Sequence, residues 1–349
     1  MTSRFILALT LLANAASIAA VSSPASVVRP TADLVVVFDT LHAEKAMDVN
    51  LWKKIQADKK RAQKRSREKS PFKTDGRDIA GAVNVSFVSF DPFRFTADGL
   101  LNVSGDKGTS IREDSAALAD MAKDSGYTVE KRGGKKTPEY VLSMDEIKDD
   151  DGDIALPQSG AVLTVLDDSQ AKFTIRWGVS KKDVESLATE AAAKKADPPL
   201  ADALKAAPLT DTSLTVVADA KKFASLPLDE NEEQKALKEL LVQLSTFTIS
   251  VRVDGGNLRL SAVLDFKNVD DATARRAEFQ QDCETAISAF KRQGGTLRTL
   301  SAGGEGKMLT IEASLDIRSA WDFLSRFENS GRRPRRGKKM LKKGKVHKK

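Results

Sequence analysis

Ala32-Asp33-Leu34-Val35-Val36-Val37-Phe38-Asp39-Thr40 is a short β-branched run closed by polar residues on both sides. That combination reads as a buried strand. A second run, Thr212-Ser213-Leu214-Thr215-Val216-Val217-Ala218-Asp219-Ala220, has the same character. Around each run the chain repeats an order of elements: strand, helix, two-stranded hairpin, helix, strand or strands, helix. Residues 42–67 lack Gly and Pro and read as one helix anchored by Leu51, Trp52 and Ile55. In 83–90 the alternation places Val83, Val85 and Phe87 on one face, and Asp98-Gly99 reads as a turn before a strand at 100–104.

Residues 110–125 read as a helix ending at Gly126, 127–130 and 140–144 as strands, and 161–166 with 173–177 as a hairpin around Asp167-Asp168-Ser169. Helical pattern follows at 181–195 and, more briefly, at 200–207. In the second half, 231–242 and 270–292 read as helices. A hairpin closes at Asp254-Gly255-Gly256-Asn257. Strands are expected at 297–300 and 308–315, and a closing helix at 318–327.

These readings predict an α+β protein of two related modules, each an antiparallel sheet with helices on one face in the ferredoxin-like, split βαβ order. The expected organisation is a signal peptide at 1–22 and a lead-in at 23–31. Module 1 follows at 32–208 with an insertion at 145–180, then module 2 at 209–330 and a disordered basic tail at 331–349.

The first 22 residues carry a short basic start at Met1–Arg4, an apolar stretch at 5–20, and small residues Ala20 and Ser22 at a cleavage site. This is the pattern of a cleaved secretory signal, so a secreted or periplasmic location is expected. The apolar stretch is too short to span a bilayer and is interrupted by Asn14, and no later segment is apolar enough to do so.

The 349 residues carry 56 Lys+Arg and 49 Asp+Glu, a formal charge of +7. The excess is local. Residues 331–349 hold 11 basic side chains and no acid, leaving 45 basic and 49 acidic ones in residues 1–330. A second basic run, 53–69, has nine basic residues against Asp58 and Glu68. Blocks of like charge are solvated segments that either contact an anionic partner or solubilise the chain. Arg332, Arg333, Arg335, Arg336, Lys338, Lys339, Lys342 and Lys343 are the candidate contacts. An anionic envelope polymer or membrane surface is the expected partner; nucleic acid is the alternative. The tail has no aromatic residue on which a base could stack.

Catalytic material is sparse. One Cys and two His exclude a disulfide framework and a Cys-rich zinc site. Cys283 lies in a helical pattern and reads as buried. His42 has no Ser, Cys or second His nearby, so it reads as structural, and His347 belongs to the tail. Asp149-Asp150-Asp151-Gly152-Asp153 resembles the middle of a calcium loop, but Ile147 and Gln158 stand where its first and last carboxylates belong. Gly303-Gly304-Glu305-Gly306-Lys307 lacks P-loop spacing and joins two strands, and Gly133-Gly134 reads as a turn. Asn84-Val85-Ser86 and Asn102-Val103-Ser104 match the glycosylation sequon. Trp52, Trp177 and Trp321 follow apolar spacing and read as packing residues. No cofactor, metal or catalytic residue is expected.

With its signal-like start, ADLVVVFDT leading to a Trp-bearing helix, and DGGNLRLSAVLDF leading to a long helix, the chain resembles uncharacterised secreted bacterial proteins with tandem α+β modules. That resemblance implies an exported, non-enzymatic protein and transfers no site residue. The expected function is therefore binding or structural work at the cell envelope. The alternatives are a nucleic-acid-binding protein using the tail and a hydrolase with carboxylate-only chemistry.

Overall fold

The computed structural model describes residues 28–39, 78–90, 92–104, 111–148, 152, 154–180, 198–210, 212–226, 232–292 and 297–319, together with 50, 53 and 57. The signal segment, most of the 42–67 helix, His42, Trp52, the 181–195 helix, most of 149–153, Trp321 and the tail with its eight candidate contacts lie outside the described residues.

In chain order the elements are β1 (Leu34–Asp39), β2 (Asp78–Phe90), β3 (Phe93–Ser104), α1 (Ile111–Asp124), β4 (Thr128–Gly133), β5 (Pro138–Met144), β6 (Ile147–Lys148) and β7 (Ile154–Leu156). There follow β8 (Ser159–Val165), β9 (Gln170–Trp177), α2 (Pro198–Ala206), β10 (Leu214–Asp219), α3 (Ala220–Phe223) and α4 (Glu232–Gln243). The chain continues with β11 (Leu244–Asp254), β12 (Asn257–Phe266), α5 (Val269–Arg292), β13 (Leu297–Gly303) and β14 (Met308–Asp316).

Among the described residues, twelve strands make one antiparallel sheet in the order β13-β14-β12-β11-β10-β1-β2-β3-β9-β8-β5-β4, and β6 and β7 pair apart from it. This corrects the expected two ferredoxin-like modules. Strands β1 and β10, read as the first strands of separate sheets, pair with each other along their length, Val36 directly opposite Val216. The boundary expected at residues 208 and 209 falls between α2 and β10, and the sheet is continuous on both sides of that seam.

The physical reason lies in β1 itself. Val35 and Val37 are buried on one face, Leu34 and Phe38 on the other. A strand apolar on both faces belongs in the middle of a sheet. Helices on one face are corrected too. Leu200 and Leu204 of α2 pack on Val35, Val37, Ala82 and Val217. The opposite face receives Ile111 and Ala119 of α1 over Val83, Phe95 and Phe173. It also receives Ala272 and Phe279 of α5 over Leu244, Phe266 and Leu309.

That second face is apolar from β8 to β14. Directly opposed residues share a face, so the pairings carry it through Val36, Val83, Ile175 and Leu163 on one side and Val216, Ile249, Ala262 and Ile311 on the other. The α2 face is mostly polar beyond α2, with Thr174 and Arg176 on β9 and Arg259 and Ser261 on β12.

Asp98-Gly99 is not a turn. Both lie inside β3, and the β2–β3 turn comes earlier in the chain, at Pro92. The turn at 254–257 is where it was expected, and Gly255 and Gly256 adopt φ of 51° and 84°, the left-handed pair that a tight hairpin requires.

Candidate binding face

Six phenylalanine rings meet at one end of the apolar face. Phe87 lies 4.8 Å from Phe90, 6.1 Å from Phe93 and 5.4 Å from Phe223 between ring centroids. Phe223 continues edge-on to Phe247 at 5.5 Å, and Phe93 meets Phe95 in a tilted pair at 5.3 Å. Phe95 is buried, and the other five are half-buried. These spacings are those of favourable offset and edge-to-face pairs.

Each ring is placed by a different piece of local chemistry. Phe87 continues the period-2 apolar side of β2, beneath Phe95 of β3. A register shift between Phe87 and Ser89 then breaks the alternation, so Phe90 joins the same cluster. Phe223 comes from α3, whose first turn is capped by Asp219, the carboxylate accepting the Lys221 N–H at 2.9 Å.

Asp33 holds the two sides of the cluster together. It precedes β1 and is 3% exposed. Its N–H donates to Val85 O, and its carbonyl accepts from Asp219 N. Its side-chain Oδ2 accepts the Phe87 N–H at 2.8 Å, and Oδ1 lies 3.7 Å from Lys222 Nζ. One carboxylate thereby ties β2, which carries Phe87, to the β10–α3 junction, which carries Phe223.

From the rings the apolar face continues over β11, where Ile249 is 40% exposed, and over β12 through half-buried Leu260 and Ala262. On the opposite, polar face Arg29 pairs with Asp98, while Asn84 accepts the Arg29 N–H at 2.8 Å and donates to Asp98 at 3.3 Å. Desolvation pulls the Arg29 guanidinium below its usual value.

The remaining candidate residues divide simply. Among the described residues no group of three or more His, Cys, Asp or Glu is placed to hold a metal. Cys283 is buried on α5, where burial first and Asp282 second hold its thiol above the ordinary value. Both sequon asparagines are buried within strands. The glycine-rich 303–307 stretch is the β13–β14 hairpin, with Gly304 and Gly306 at positive φ. Trp177 is half-buried beside Phe95 and Ser159. No helix among the described residues is long and apolar enough to cross a membrane.

The phenylalanine cluster was not identified from sequence. A signal existed: four of the chain's 15 phenylalanines, Phe87, Phe90, Phe93 and Phe95, fall within residues 87–95. Its completion by Phe223 and Phe247, more than a hundred residues away, has no local sign.

No protein-family model matches the chain, and no curated protein matches it. Solved structures of TP0453 are weak structural neighbours. Crystal form I has a TM-score of 0.40 and 13% identity, covering 88% of this chain and 98% of that chain. Crystal form III has a TM-score of 0.42 and 10% identity, covering 88% and 99%.

Proposed function

We propose that this is an exported protein of the cell envelope that works by binding, with the phenylalanine-lined end of its apolar sheet face as the binding surface. The observation that carries this reading is the run of five half-buried rings in mutual contact. Rings left half-open to solvent retain apolar area that an apolar ligand or segment can cover, at roughly 25 cal/mol per Å² removed from water. The signal-like residues 1–22 support export, and the resemblance described above supports a non-enzymatic role.

The experiment has two arms. Cell fractionation with sequencing of the mature N-terminus tests export; an uncleaved, cytosolic protein overturns it. Titration with the fluorescent apolar probe anilinonaphthalene sulfonate tests the face. Saturable binding by the full chain, weakened several-fold by Phe90→Ala, is the expected result. Unsaturable binding, or binding indifferent to that change, overturns the assignment of the face.

A second reading has its own observation, the 11 basic residues and no acid in 331–349. Phosphate contacts by such a tail would give nucleic-acid retention that falls steeply with salt. Retention unchanged after deletion of 331–349 removes that reading.

A further inference from the structure

The sheet ends in two edges of different chemistry. Edge strand β4 carries Glu130, Lys131 and Arg132 in succession. Arg132 makes two hydrogen bonds to Glu130, at 2.8 and 2.6 Å, and Lys131 lies over the Tyr140 ring at 5.5 Å. Charge on an edge strand resists pairing with another chain. Edge strand β13, Leu-Arg-Thr-Leu-Ser-Ala-Gly, has one charge. That charge, Arg298, sits at a register shift and reaches Asp316 on the neighbouring β14 at 3.3 Å. Thr299 and Ser301 are exposed, and Leu300 and Ala302 are half-buried on the apolar side. The Gln280 side chain of α5 donates to Ala302 O on β13 at 3.1 Å.

The sheet itself shows what such an edge accepts. On one side of the β1–β10 seam β3 is followed outward by β9 and β8, and on the other β12 is followed by β14 and β13. Strand β8 then takes β5 as an antiparallel neighbour, whereas β13 is the last strand among the described residues.

We infer that β13 is a self-pairing edge, on which a second copy of this chain lays its own β13 antiparallel about a two-fold axis at Leu300. The strand is self-complementary in that register. Leu300 faces Leu300 of the second copy, Thr299 faces its Ser301, and Arg298 faces its Ala302, so no charge meets its like. The axis is perpendicular to the sheet, so the apolar faces of both copies stay on one side. This isologous contact closes at two copies. Pairing of β13 with β4 would instead be open-ended and would set the plain strand against Glu130, Lys131 and Arg132. The seam inside the molecule already uses the same geometry, Val36 against Val216.

Sedimentation equilibrium of the full chain tests the inference. The wild type is expected to be a dimer. Thr299→Lys with Ser301→Lys places Lys opposite Lys twice across the axis and is expected to raise the dimer dissociation constant about tenfold. Thr299→Lys with Ser301→Glu places Lys opposite Glu twice and is expected to retain the dimer. Both positions are exposed, and unchanged circular dichroism is expected for the two variants, as the check on the monomer fold. Lys131→Ser on the other edge is expected to have no effect. A monomeric wild type, an open-ended polymer, or equal dissociation by the two β13 variants overturns the inference.

Discussion

The carboxylate of Asp33 accepts the backbone N–H of Phe87 across 2.8 Å in a nearly solvent-free position. The same carboxylate has Lys222 at 3.7 Å, but that ammonium is over a third exposed. The two interactions differ in weight. A buried hydrogen bond to a charged acceptor contributes about 1.5–3 kcal/mol, whereas a partly solvated ion pair contributes about 0–1 kcal/mol. Asp33→Ala is therefore expected to cost about 2–3 kcal/mol in denaturant unfolding and to loosen the rings. Lys222→Met is expected to cost less than about 1 kcal/mol. Equal losses for the two would place the ion pair, not the hydrogen bond, at the centre of this junction.

Gly81 and Gly99 let two aromatic rings lie flat on the sheet. A Cβ at Gly99 would stand 2.3 Å from Ala82 O and 2.7 Å from the Phe173 ring; at Gly81 it would stand 2.5 Å from Leu100 O and 2.8 Å from the Phe38 ring. A ring can turn, but the opposing carbonyls belong to paired strands and cannot move without breaking the ladder. Gly99→Ala and Gly81→Ala are each expected to cost about 1–3 kcal/mol, the scale of overpacking in a closed core. Adding Phe173→Leu to Gly99→Ala should recover only part of the loss, because the Ala82 carbonyl remains. Full recovery in thermal melts would show that the ring alone sets the constraint.

Gly99 also marks where local reading stops. Asp98-Gly99 has turn chemistry, and nothing within reach along the chain says that Phe173 needs the missing side chain. Most elements were readable because their causes are local: the period of 83–90, the paired glycines at 255–256, and the helical spacing of 111–124. Their assembly was not. The runs at 32–40 and 212–220 look like first strands of separate sheets because a two-residue period does not encode its partner. What fuses them is burial on both faces of β1, half supplied by α2 from a distant part of the chain. The phenylalanine cluster divides in the same way. Its 87–95 portion was open to inspection, while Phe223 and Phe247 join it only through that fused sheet.

Two asparagines in identical sequon settings are expected to respond oppositely to the same change. Asn84 is buried and bonded, accepting from Arg29 N and donating to Asp98. Asn102 is 0% exposed, and neither its Oδ1 nor its Nδ2 has a partner. Removing one member of a bonded network leaves the others unsatisfied, whereas replacing an unbonded buried amide by an apolar group removes a desolvation cost. Asn84→Leu should lower the melting temperature, by about 1–3 kcal/mol in stability. Asn102→Leu should raise it or leave it unchanged. A large loss at Asn102 would show that its amide has a partner in solution.

Acid titration separates two carboxylates, on β14 and β12, by sign. Asp316 is held below the ordinary carboxylate value, first by the Ser319 N–H that it accepts at 2.8 Å and then by Arg298, with desolvation opposing. Asp265 is held above it by desolvation, with Lys307 opposing. A lowered folded value means that Asp316 contributes stability above the unfolded value of about 3.9, and that this contribution is lost as pH falls through the folded value. A raised folded value means that Asp265 favours the fold below about 3.9 and loses that contribution as pH rises through its own folded value. Asp316→Asn should therefore melt below wild type at neutral pH, and Asp265→Asn above it. Both differences should shrink as the pH is taken down through the carboxylate range. Differences of the same sign at neutral pH would mean that burial, rather than the Ser319 and Arg298 contacts, governs Asp316.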